Sequence, residues 1–230
     1  MVLNITRERV NLSLSIFRKA FKEAASRYIM NKLTALNNYL KKVISYERLK
    51  LAIVCFIVFM LFEFSGLLFP NREQTTLALS QIKEMESKNF AGKVQYIFRE
   101  NAVQNTFFAV PLFGIVYAFK VAFTTGQAIA GIVSLYMNIT NRYDLFMTSF
   151  GYAFVLAIMP HGLLEYGAYA LTIASNLLFS KIVLFPKEEL KEDRKKVLRE
   201  ALKDYAVVLV VAFILLVLGA IAEAPYIRSA

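Results

Sequence analysis

Cysteine, histidine and tryptophan are almost missing from this 230-residue sequence: Cys55 and His161 each stand alone, and there is no tryptophan. One thiol excludes a disulfide framework, and one thiol with one imidazole leaves no ligand set for a zinc site. Also missing are a phosphate-binding glycine loop, a dinucleotide fingerprint, a His-Glu-x-x-His string and the Ser, His and Asp grouping of a hydrolytic triad. No enzyme activity, cofactor or metal is therefore expected. Charge is nearly absent over almost half of the length. The stretches 51–70, 105–141, 145–180 and 205–222 hold only Glu63, Lys120 and Glu165.

What is present explains that segregation. The chain is 57% apolar and 19% charged, against roughly 45–50% and about 25% in ordinary soluble domains. A bilayer imposes such partitioning, because a charge at its centre costs on the order of 2.5–3.5 kcal/mol even on lenient insertion scales. The expectation is an all-α polytopic membrane protein, multi-pass in the cell membrane. The formal charge of +10 comes mostly from residues 1–50, where 11 Lys and Arg face Glu8, Glu23 and Glu47. This placement suits a cytoplasmic N-terminus against anionic lipid, not nucleic acid. No signal peptide is expected, since the first long apolar run begins only at Leu51.

Two regions follow: a basic amphipathic helical region over 1–50, and a helical membrane domain over 51–230 with polar connections at 71–104 and 186–204. Between residues 12 and 46, apolar positions such as Phe17, Phe21, Leu33, Leu36 and Leu40 recur at helical spacing among lysines and arginines. That pattern fits a helix on the membrane surface or on the membrane domain, and equally a helical hairpin packed on a partner chain.

Segment 51–69 reads as one crossing, ended by Pro70 and Asn71. The connection 71–104 reads as a loop holding a short amphipathic helix around Leu79, Ile82 and Met85. Residues 105–141 are long enough for two short crossings broken at Thr124, Thr125 and Gly126, and residues 146–185 for two broken at Pro160, His161 and Gly162. With the final span from Tyr205, this gives five to six hydrophobic segments, some re-entrant or broken. Six full crossings would place the seven Lys and Arg of 186–204 outside, against the positive-inside rule, so five crossings with one re-entrant segment fit the charge better.

The candidate site residues are the polar ones that an apolar setting makes costly. Pro160-His161-Gly162-Leu163-Leu164-Glu165 sets an imidazole and a carboxylate four residues apart on one helical face. The pair can bind an ion or relay a proton; alternatively His161 caps the break and Glu165 pairs with a neighbouring helix. Glu63 lies deep in the first span and calls for a partner such as Lys120 or a backbone donor, whereas Lys120 reads as a snorkelling cation near a segment end. Glu223 closes the last span. Gly114, Gly126, Gly131, Gly151, Gly162 and Gly167 read as points of close helix approach.

Together these strings resemble the stage II sporulation protein M family of small integral membrane proteins. Ile97-Phe98-Arg99-Glu100-Asn101 is similar to the family's Phe-rich approach to its second span. Thr125-Gly126 with Gly131 stands at the next family position, and Pro160-His161-Gly162 with Glu165 matches the third element residue for residue. Ile221-Ala222-Glu223-Ala224 resembles the closing string. The chain departs from the pattern after Glu165, where Tyr166-Gly167-Ala168 replaces an apolar-Pro-Ala string. The resemblance implies a non-enzymatic membrane component of a multi-protein assembly, a scaffold or partner-binding subunit that self-associates or binds other membrane proteins. The alternative is a small transporter or channel-like protein whose broken helices build a polar site from His161, Glu165, Asn101, Asn105 and Glu223.

Overall fold

The computed structural model describes residues 43–185 and 194–227, together with positions 26, 30–32, 34, 35 and 37–41. Residues 1–45 form a unit of their own, helical at the described positions from 26 to 43. Most of the amphipathic stretch 12–46 therefore lies outside the described residues, as do Lys187 and Lys191 of the second polar connection.

From Tyr46 onward the described chain is helical, with no strand. The helices are α1 (Tyr46–Gly66), α2 (Arg72–Glu86), α3 (Phe90–Phe108), α4 (Phe113–Met137), α5 (Arg142–Ile158), α6 (Pro160–Leu184) and α7 (Arg194–Glu223), followed by a tight turn at Ala224–Tyr226. Four are long and apolar enough to cross a membrane: α1, α4, α6, and α7 with its following turn.

Their directions follow from the side chains that meet. Glu63 of α1 meets Tyr166 of α6, and Phe59 meets Tyr169, so α1 and α6 run antiparallel. Glu165 of α6 lies at Gly219 of α7 while Phe179 stacks on Tyr205, which makes α6 and α7 antiparallel as well. Helices α1 and α7 therefore start at the same end of the bundle. The basic first turns of α7, with Arg194, Lys195, Lys196, Arg199 and Lys203, share that end with Tyr46. The described part of the basic connection 186–204 thus lies at the end where α1 starts, not at the opposite end as six full crossings would have it.

Helix α3 enters from the opposite end. Ile97 packs with Ala220 and Ala224 at the finish of α7, whereas Ala109 accepts a hydrogen bond from Tyr205 near its middle. The chain turns over residues 109–112 and α4 runs back, so α3 and α4 form a hairpin whose tip is inserted among α6 and α7. Helix α2 lies along α4, with Thr75 against Gly131.

Three of the expectations for these segments fail. Thr124, Thr125 and Gly126 do not interrupt anything; they lie in the middle of α4. Thr124 donates back to the Lys120 carbonyl at 3.0 Å, which keeps its hydroxyl satisfied within the helix. Gly126 is where α1 crosses: a Cβ there would lie 2.0 Å from the Glu63 carbonyl oxygen. The glycine serves approach, not breakage. Residues 105–141 are thus the end of α3, a tip and one long helix, not two short crossings, and four helices among the described residues have the length and composition of a crossing. Nor is 71–104 a loop with one short helix. Asn71 and Asn89 each accept backbone N–H groups at helix starts, at 2.9 Å from Glu73 and 2.9 Å from Gly92, and launch α2 and α3 in succession.

The break at Pro160 is real. Met159 is extended, with ψ 151°, because the pyrrolidine ring disfavours the helical conformation in the residue before it, and Pro160 then occupies the first turn of α6. Gly162 lets the two helices pack tightly across the break, since a Cβ would lie 2.0 Å from the Leu156 carbonyl oxygen.

Candidate functional site

Asn101, Glu165 and Glu223 come from three helices and meet. Asn101 Nδ2 of α3 donates to Glu165 Oε1 of α6 at 2.5 Å, and the Tyr169 hydroxyl donates to Asn101 Oδ1 at 2.9 Å. Glu223 of α7 stands beside Glu165, so the two carboxyls face one another between α6 and α7. Gly219 makes the contact feasible: a Cβ at that position would lie 2.9 Å from Glu165 Cγ.

One residue along α6, the Tyr166 hydroxyl donates to Glu63 Oε1 of α1 at 3.2 Å. Glu63 is wholly buried and takes Tyr166 as its partner at Oε1, while Oε2 has none among the described residues; Lys120 is exposed and does not reach it. Lys120 sits mid-helix in α4, not near a segment end, because α4 runs unbroken through the position once read as a gap. The pairing could not be read from spacing, since 103 residues separate Glu63 from Tyr166.

His161 takes no part in this cluster. Its ring is buried beside Tyr226, with centroids 5.9 Å apart, and its Nδ1 has no hydrogen-bond partner among the described residues. The Pro160-His161-Gly162 string therefore builds the break, while Glu165 pairs with neighbouring helices. Gly126 supports the cluster from behind by bringing α4 against the Glu63 backbone. Asn105 is fully buried one turn below Asn101 on α3.

A second polar centre lies toward the tip of the α3–α4 hairpin. Asn176 of α6 donates through Nδ2 to the carbonyls of Phe108 at 2.7 Å and Val110 at 2.8 Å, and its Oδ1 accepts from Leu112 N at 3.3 Å and Ser180 Oγ at 2.9 Å. It holds an unusual turn: Leu112 has φ 65°, and Phe113 N bonds back to Pro111 O at 2.8 Å, a three-residue γ-turn of the strained positive-φ kind. Such a conformation persists where its surroundings over-determine it, and one asparagine with four bonds does so here. Sequence reasoning did not single out Asn176, Tyr166 and Tyr169 as site residues. The available signal was an amide inside an apolar run, where its hydrogen bonds must be met by protein.

Among the described residues no three His, Cys, Asp or Glu side chains gather as metal ligands. What the arrangement does chemically is join helices: α1 to α6 through Glu63, α3 to α6 through Asn101 and Asn176, and α6 to α7 through the carboxyl pair.

No curated protein and no solved structure matches the chain. The family described as stage II sporulation protein M matches residues 52–226, a span that runs from within α1 to the turn after α7 and takes in the Pro160 break, Glu165 and Glu223. An all-helical chain with four membrane-length apolar helices and this match over three quarters of its length is a membrane protein of the stage II sporulation protein M family.

Proposed function

We propose that this protein is a non-enzymatic scaffold of the cell membrane, a rigid multi-pass subunit that holds copies of itself or other membrane proteins in one assembly. The observation that carries this reading is that polar groups of several helices are used on one another. Glu63, Asn101, Glu165, Glu223 and Asn176 tie four helices and a hairpin tip together. Bonds of this kind fix helix positions inside hydrocarbon, where each unmet polar group costs several kcal/mol. A scaffold needs such rigidity and no solute path.

The basic first turns of α7 support a cytoplasmic location for the end where α1 begins, and the basic sequence before Tyr46 suits anionic lipid on that face. The test is reconstitution beside crosslinking. In liposomes the purified protein is expected to conduct no ions and exchange no small solutes, while crosslinking in native membranes recovers a homo-oligomer or a second membrane protein. A saturable flux abolished by Glu165→Gln or His161→Ala would replace the scaffold with a transporter.

A further inference from the structure

Helix α2 does not close on α4 along its whole length. The two touch where Thr75 sits on Gly131, but beside that contact a groove of about 370 Å³ opens, walled by α2, by α4 and by Gln104 of α3. That volume lies within the roughly 300–1,000 Å³ of small-molecule sites. On α4 the lining runs from Tyr117 to Ile132. At 1.5 Å per residue this is about 22 Å of a helix that is long and apolar enough to cross a membrane.

For such a setting the wall is unusually polar. Gln74 and Gln81 stand two turns apart on one face of α2, Gln104 comes from α3, and α4 adds Tyr117, Thr124 and Thr125. All six are half-buried. Among the described residues the side chains of the three glutamines, Tyr117 and Thr125 make no hydrogen bond to protein, whereas Thr124 donates to the Lys120 carbonyl. The Tyr117 ring is held by Phe107 and Phe113, at 5.1 and 5.9 Å between centroids, which leaves its hydroxyl as the part free to serve a ligand. No charged side chain among the described residues lines the groove. Amides along a membrane-crossing helix are costly unless something bonds to them, and here there is space for it.

We propose that the groove between α2 and α4 binds an uncharged polyol of about hexose size, either free or carried as the headgroup of a lipid. A primary amide offers donors and an acceptor together, and a hydroxyl offers either, which is what a ring of hydroxyls needs on both counts. A charged ligand would enter with no opposite charge to meet it, and its desolvation would oppose binding. A wholly apolar one would leave three amides unpaired. Leu77, Val121, Ile129 and Ile132 supply the apolar surface for the carbon face of a sugar and for the first methylenes of a lipid tail. The site goes beyond the scaffold reading and does not rest on it, because holding a polyol needs neither a protein partner nor a solute path.

The probes are glucosyl diacylglycerol and methyl glucoside, used on the full chain kept free of glycoside detergents. Nanodiscs of phosphatidylcholine are doped with glucosyl diacylglycerol, with plain diacylglycerol or with phosphatidylglycerol, and native mass spectrometry counts the lipid retained on the protein; methyl glucoside is followed by saturation-transfer NMR. At least one glucoside is expected to bind, the lipid form about tenfold over diacylglycerol and phosphatidylglycerol. Retention of the lipid alone assigns the site to a headgroup, and a methyl glucoside signal assigns it to the sugar by itself. Gln81→Leu with Gln104→Leu is expected to abolish the preference, while Gln95→Leu, exposed on α3 outside the groove, keeps it. If the double variant does not fold, Ala128→Leu fills the groove in its place, with the same loss expected. Neither glucoside binding above the controls would overturn the site, as would binding undiminished in a folded groove variant.

Discussion

Replacing Gly126 by alanine tests the packing of α1 on α4 against an effect of opposite sign. In an isolated helix the change is favourable by about 0.8–1.0 kcal/mol, because glycine costs backbone entropy that alanine does not. In this protein a Cβ at Gly126 would lie 2.0 Å from the Glu63 carbonyl oxygen and 3.1 Å from Gly66 Cα, all backbone atoms. Carbon–oxygen contacts between packed helices run at about 3.3–3.6 Å. No side chain can rotate out of the way, so α1 must retreat by more than about 1 Å, and dispersion contacts weaken along the whole seam. Overpacking of this kind costs roughly 1–3 kcal/mol in a side-chain core, and a backbone wall places the cost at the upper end. The net expectation is destabilisation of about 2 kcal/mol, or roughly 4–8 °C in an apparent midpoint for a domain of this size. The lone cysteine supplies the assay. Cys55 is buried on α1, so a thiol-reactive fluorogenic probe reports the opening of that helix as detergent-solubilised protein is heated. Gly151→Ala and Gly167→Ala are the controls, because nothing lies within 4 Å of a Cβ at either site; both are expected to hold or raise the midpoint. If Gly126→Ala is as stable as Gly151→Ala, the close crossing of α1 and α4 is wrong.

The remaining predictions concern the polar centres and the topology. Asn176→Ala removes four hydrogen bonds at the hairpin tip, and at about 1 kcal/mol net for each it should destabilise by roughly 2–4 kcal/mol in the same thermal assay; a change below about 0.5 kcal/mol would show that the tip does not need its clamp. Glu165→Gln keeps an acceptor for Asn101 and gains a donor toward Glu223, so it should assemble near normally, whereas Glu165→Leu leaves both neighbours unpaired and should lower the yield of folded protein sharply. Equal yields for the two variants would show that the cluster is not held by these bonds. Single cysteines at Ser87 and Lys195, both exposed, in a Cys55→Ser background should react with an impermeant thiol reagent from opposite sides of the membrane; labelling from one side alone would refute the helix directions.

How much of this was legible in the sequence depended on whether the cause was local. The depletion of charge marked the membrane, because hydrocarbon penalises an ionised group wherever it stands in the chain. The end of α5 at Ile158 was legible because proline acts on its own backbone and on the residue before it. The same reading failed at Gly126, where nothing in the adjacent residues distinguishes a glycine that interrupts a helix from one that admits a neighbour. It also failed for Glu63, whose burial was foreseen but whose partner was sought at Lys120 or a backbone donor. A buried carboxyl is satisfied by whichever donor packing delivers, here a tyrosine on a helix running the other way.

The sequence by itself therefore determined the class of the molecule, the basic end, the helix break at Pro160 and which polar residues would be expensive, since all of these follow from the transfer of each residue into hydrocarbon or from its own backbone. The tertiary structure alone decided that α3 and α4 make an inserted hairpin, that Asn101 and Glu223 meet at Glu165 while His161 stands apart, and that Asn176 holds the tip. The physical reason is that hydrogen bonds inside a bilayer must be closed between helices, and the spacing of residues along one helix says which face they share but not which helix comes to meet them.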